Sequence, residues 1–115
     1  MTPLEIAYKY MACFYGQTSL DNMRALLADD MVFEGPFYRF DSGSDYFQSL
    51  QDDPPEGLSY EIINEFENVN CACLVYRFTR PGMETLMTQT FELKEGKIAR
   101  MLLIFDTASF TASAA

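Results

Sequence analysis

At 115 residues the chain has the length of one domain, placed at 1–106 with a short, loose tail at 107–115. Its 17 acids against 8 bases leave a formal charge of −9, which excludes the basic face that a phosphate backbone or an anionic membrane requires. The absence of histidine excludes Ser-His-Asp and Cys-His catalysis, and three cysteines alone leave too few ligands for zinc, so no metal and no cofactor are expected. The odd cysteine count, with no secretory signal, points to reduced thiols in the cytoplasm.

The elements follow in order. Thr2-Pro3-Leu4-Glu5 opens a helix with a capping box and a proline in its first turn. Leu4, Tyr8, Met11 and Tyr15 share one face at helical spacing, and Gly16 ends the helix. Ser19 caps a second helix with an apolar side of Leu20, Met23, Leu26 and Leu27. Asp29-Asp30 oppose a helix C-terminus electrostatically and mark its exit. Met31–Phe37 reads as a short strand, with Pro36 at an edge or strand end. Ser42-Gly43-Ser44-Asp45 begins a third helix carrying Tyr46, Phe47 and Leu50.

Four strands follow, at about Leu58–Glu67, Cys71–Thr79, Met83–Leu93 and Lys97–Asp106. Their short connections make an antiparallel meander. Helices first and a meander after define an α+β domain with helices on one face of a curved sheet.

Two helices, the Leu-Leu-Ala-Asp-Asp exit, a strand ending Phe33-Glu34-Gly35-Pro36, a third short helix and the meander together resemble the nuclear transport factor 2-like superfamily, and within it the SnoaL-like group. The resemblance implies a cone-shaped, cystatin-like fold with a pocket for a small hydrophobic ligand, and a homodimer through the sheet's outer face. It implies either acid–base isomerase, cyclase or dehydratase chemistry or a non-catalytic binding or structural role. The ketosteroid isomerases of the group carry Glu-Asp-Pro where this chain has Glu34-Gly35-Pro36, so the base position holds Gly35. Their oxyanion-hole tyrosine falls at Met11, with Tyr10 beside it, and their protonated aspartate at Gln89. Glu34, next to the vacated position, is the candidate base.

That alignment sets the expected pocket: Tyr15, Met11, Phe37, Gln89, Met87, Met101 and Phe105. Thr85, Phe91 and Leu103 share their strand parity, whereas Arg100, Leu102, Ile104 and Asp106 point outward. Tyr8, Tyr38 and Tyr46 are further candidate phenols, each able to offer a donor to a ligand carbonyl.

Overall fold

The computed structural model describes residues 1–114. Helix α1 (Pro3–Phe14) starts on the expected capping box: the Glu5 amide donates to Thr2 Oγ1 at 3.2 Å, and the Thr2 amide donates to Glu5 Oε1 at 2.9 Å. Its buried face is rotated from the expected stripe. Ile6, Ala7, Tyr10, Met11 and Cys13 are buried, while Leu4, Tyr8 and Tyr15 are half-buried. Both stripes satisfy helical spacing, and the sheet selects the one that carries Tyr10.

Ser19 caps a 3₁₀ helix, Leu20–Leu26, rather than an α-helix. Strand β1 (Leu27–Glu34) begins directly after it, upstream of the expected start at Met31. Asp29 and Asp30 therefore lie in a strand and do not form a helix exit. An acid is disfavoured at a helix C-terminus, and the extended backbone lets Asp29 pair with Arg24 at 2.7 Å. Gly35-Pro36 turns the chain into a two-residue strand, β2 (Arg39–Phe40), which the sequence did not announce. Phe37 thus sits in a loop.

Helix α2 (Gly43–Asp52) is capped by Ser42, whose hydroxyl accepts from the Asp45 amide at 3.1 Å. Strands β3 (Ser59–Glu67), β4 (Cys71–Arg80), β5 (Met83–Lys94) and β6 (Lys97–Phe105) form the expected meander. The six strands make one curved sheet in the order β2-β1-β6-β5-β4-β3. All neighbouring pairs are antiparallel except β1 with β6, which run parallel with Phe33 opposite Met101. The helices pack on the sheet's concave face, over a core that includes Met11, Leu27, Met31, Leu74, Phe91, Ile98 and Met101. No helix among the described residues is long and apolar enough to cross a membrane.

The segment after β6, expected to be loose, forms helix α3 (Thr107–Ala114). Small residues without an apolar stripe give little sign of a helix there. Two features outweigh that pattern: Asp106 Oδ1 accepts from the Ala108 amide at 2.9 Å, and Phe110 packs on Phe105 with ring centroids 4.7 Å apart. Ala115 lies outside the described residues.

One glycine fixes how α2 meets β1. A Cβ at Gly43 would stand 2.2 Å from the Ala28 carbonyl oxygen, a backbone atom that cannot swing away. Gly43→Ala is expected to destabilise the fold by about 1–3 kcal/mol, the usual cost of overpacking. Urea denaturation should show a lower midpoint, and an unchanged midpoint would refute this tight approach.

Candidate functional site

An open-mouthed cavity of about 690 Å³ lies between the helices and the concave sheet face. Its walls are aromatic and aliphatic, including Phe14, Phe33, Phe40, Leu50, Leu58, Phe78 and Leu103. Strands from both halves of the sheet contribute, because strand alternation sends every second side chain to this face. On β5, Met87 and Gln89 face inward while Leu86 and Thr88 face outward. On β6, Leu103 and Phe105 face inward while Ile104 is exposed.

Of the expected pocket residues, Tyr15, Phe37, Met87, Gln89 and Phe105 line the cavity. Met11 and Met101 do not; both are fully buried in the core behind it. Met101 still touches the floor, because Gln89 Nε2 approaches its sulfur at 3.5 Å.

Glu34 is on the wrong side of the sheet for a cavity base. Its carboxylate faces outward, 3.3 Å from Arg39 and 3.6 Å from Arg100, and its side chain is 43% exposed. Gly35, the next residue, faces the cavity. The Gly-Pro pair introduces no bulge that would reverse this order, since the pairing of Phe33 and Glu34 with β6 is continuous.

The polar floor is a chain of phenols organised around one amide. Tyr10 and Tyr46 share a hydroxyl–hydroxyl hydrogen bond. Tyr76 donates to Gln89 Oε1 at 2.8 Å. That bond orients the amide so that its nitrogen faces Met101 and the Tyr10 hydroxyl. Tyr15 stands close enough to Tyr76 for each phenol to feel the other's charge state. The rings are wedged in place: Phe33 stacks on Tyr46 at 4.8 Å between centroids, and Phe91 meets Tyr10 edge-on at 5.4 Å.

Burial pushes the Tyr10 phenol up to about 12, against opposing hydrogen bonds from Tyr46 and Gln89. Burial also raises Tyr15, Tyr46 and Tyr76, reinforced in each by neighbouring phenols. These groups stay protonated at neutral pH, so they donate hydrogen bonds and do not abstract protons. At the mouth stand Asp53, which is exposed, and Arg80, which is half-buried with its guanidinium 4.7 Å over the Phe110 ring.

The sequence singles out Tyr46 as one phenol among several, but it does not gather Tyr10, Tyr76, Arg80 and Phe110 into one site. For Tyr76 a signal exists: the parity of β4 sets it on the opposite face from Cys73 and Val75. Nothing local marks Arg80 or Phe110, which meet only through the tertiary fold.

No protein-family model and no curated protein matches the chain. Solved structures do. An NTF2-like protein of unknown function from Cytophaga hutchinsonii superimposes with a TM-score of 0.82 at 17% identity, over 96% of each chain. An LEH-like epoxide hydrolase from M. tuberculosis gives 0.80 at 16% identity, over 95% of this chain and 86% of that one. A protein from Kribbella flavida, provisionally described as a ketosteroid isomerase, gives 0.78 at 20% identity, over 89% and 76%. The chain therefore has the nuclear transport factor 2-like fold, a cone of helices on a curved and mostly antiparallel sheet. At such identities the likeness extends to fold and not to reaction.

Two outcomes are expected. Glu34→Gln should leave ligand affinity of the cavity unchanged; a loss of affinity would return Glu34 to the site. In an alkaline titration, the phenol of Tyr10 is raised from 10 to about 12 on folding, so between those values the unfolded chain binds fewer protons than the folded one. The stabilisation is fully present below pH 10 and is lost as pH rises through about 12. Phenolate absorbance should thus show a buried class that ionises only as near-ultraviolet circular dichroism collapses; full ionisation with the fold intact would contradict the buried network.

Proposed function

We propose that this protein is a binding module for a small hydrophobic ligand carrying a hydrogen-bond acceptor, such as a ketone, held without turnover in the cavity between helices and sheet. One observation carries the reading: a proton count at the cavity floor. Tyr10 and Tyr46 together own two hydroxyl hydrogens, and one of them lies in the bond that joins the pair. One phenolic hydrogen of the pair is thus left to be donated, in a largely aromatic cavity where a carbonyl oxygen is its natural partner.

The same floor supports binding more than catalysis. Its donors are neutral and held far from ionisation, and the Glu34 carboxylate points to the opposite side of the sheet. Acid–base turnover would fall to Asp53, the carboxylate at the mouth. A carboxylate that works as a general base near neutral pH is typically shielded from water, and Asp53 is exposed.

The test is a pair of probes with one skeleton, acetylnaphthalene and the alcohol obtained by reducing its ketone. The ketone is expected to bind more tightly. Tyr10→Phe and Tyr46→Phe should each weaken the ketone about fivefold or more, in line with roughly 1 kcal/mol net for a hydrogen bond. Equal affinity for both probes, or unaltered ketone affinity in both variants, would remove the phenol pair from recognition. Incubation of the ketone with Asp53→Asn beside the parent chain decides the enzymatic alternative: turnover that disappears in the variant would replace the binding reading.

We further propose that two copies associate through the outer sheet face. Its middle carries Cys73, Thr90 and Leu102 in one cross-strand row and Val75, Thr88 and Ile104 in the next. Ion pairs flank these rows, Arg77 with Glu84 at 3.1 Å on one side and Arg100 with Glu92 at 3.9 Å on the other. An uncharged seam with a charged border has the anatomy of an interface. Sedimentation should give a dimer for the parent chain and a monomer for Leu102→Glu combined with Ile104→Glu; a parent monomer would refute the dimer.

A further inference from the structure

We infer that the ligand carries two closely spaced oxygen acceptors and that Tyr15 reads the second of them. The inference rests on the ligand-binding reading above and adds the number and spacing of the groups recognised.

Apart from the exposed Tyr38, four tyrosines line the cavity: Tyr10, Tyr15, Tyr46 and Tyr76. Each brings one hydroxyl hydrogen. Two of these hydrogens are committed within the protein, one between Tyr10 and Tyr46 and one from Tyr76 to Gln89 Oε1 at 2.8 Å. The remaining hydrogen of the Tyr10–Tyr46 pair serves the first acceptor. The last hydrogen belongs to Tyr15. Its hydroxyl stands beside Tyr76 without a hydrogen bond of ordinary length to any described residue. Tyr76 spends its own hydrogen on Gln89, so Tyr15 is the phenol of these two that still has one to give.

Tyr15 is held firmly for this task. It caps the C-terminus of α1, and its amide donates to the Met11 carbonyl at 2.9 Å. Its ring is tilted against Phe14 at 5.0 Å and Tyr60 at 4.5 Å between centroids. Tyr60 is itself anchored, donating from its hydroxyl to Gln17 Oε1 at 3.1 Å. Only the Tyr15 O–H bond keeps its freedom and turns to suit an acceptor. Burial raises this phenol, so the hydrogen is present at neutral pH. A fixed ring with a rotating hydrogen is a donor whose ordering cost is largely met before the ligand arrives.

The spacing follows from the cluster. The charge state of Tyr46 responds to Tyr10, Tyr15 and Tyr76 alike, so the four hydroxyls gather in one region of the cavity. Two donors gathered there suit acceptors on neighbouring groups of one ligand, as in a vicinal diacyl compound or a hydroxy-ketone. They do not suit acceptors at opposite ends of a long molecule.

Three probes of one skeleton test this. 2-Acetylnaphthalene has one acceptor; 2,3-diacetylnaphthalene and 2,6-diacetylnaphthalene have the same composition, with acceptors adjacent or far apart. The parent chain is expected to bind the 2,3 isomer about threefold or more tightly than either of the others, the low end of what a hydrogen bond contributes. Tyr15→Phe keeps the ring and removes only the hydroxyl. It should erase that advantage and leave the affinity for 2-acetylnaphthalene unchanged. Equal binding of the two isomers, an advantage that survives Tyr15→Phe, or a weakened 2-acetylnaphthalene in that variant overturns the second acceptor and leaves the cavity reading standing. Failure of all three probes to bind overturns the cavity reading itself. Should Tyr15→Phe lose its fold by circular dichroism, carbon-13 resonances of the phenol carbons in the parent chain decide the matter. The 2,3 isomer must shift one phenol more than 2-acetylnaphthalene does, and an identical set of shifted phenols refutes the assignment.

Discussion

The polar floor depends on the satisfaction of one buried amide. Gln89 is 3% exposed in a floor made otherwise of rings and thioethers, so any donor or acceptor it left unmade would cost about 1–3 kcal/mol. Its oxygen takes the Tyr76 hydroxyl, and its nitrogen turns to Met101 and Tyr10. The amide thereby sets the direction of hydrogen bonding through the phenols on either side. An aspartate in its place would need to be kept protonated to offer a donor. Glutamine offers one at every pH and can never accept a proton as a base. That single residue type separates recognition of an acceptor from proton transfer.

Strand parity performs the second division. Neighbouring residues of β1, β5 and β6 point to opposite faces, so the sheet sorts chemistry by odd and even positions. Phenols, the amide and the rings lie on the concave side, and the ion pairs of Glu34, Arg39, Arg77 and Arg100 lie on the convex side. The contrast between Gly35 inside and Glu34 outside is the sharpest case. A carboxylate one residue from a pocket is as far from its chemistry as one on another element, because no shift shorter than a bulge can carry it across the sheet.

Much of this is legible in the primary structure where a local rule dominates. Thr2 and Glu5 make the capping box that their spacing announces, and the meander follows from short turns between alternating runs. The parity of Met87, Gln89, Leu103 and Phe105 is readable once one anchor position is chosen. What escapes depends on tertiary selection. The helical stripe of α1 fits either Tyr8 or Tyr10, and only the docked sheet chooses Tyr10. The backbone from Leu27 onward is extended because Ile98 pairs with Leu27, a partner far along the chain. Helix α3 owes its place to the Asp106 cap and to the packing of Phe110, a ring which no periodicity could single out.

The parallel pairing of β1 with β6 also orders events in time. Every other sheet contact joins strands that are adjacent in the chain and can zip as local hairpins. The β1–β6 contact must instead close a loop that contains α2 and four of the six strands, at a larger entropic cost. As the chain emerges from the ribosome, the phenols of α1 and α2 are synthesised well before Gln89 and β6 arrive to enclose them. The cavity is therefore absent from any nascent or truncated chain that stops before β6. Its completion coincides with docking of the last strand, so a ligand that occupies it stabilises the closed sheet by mass action and reports that folding has finished.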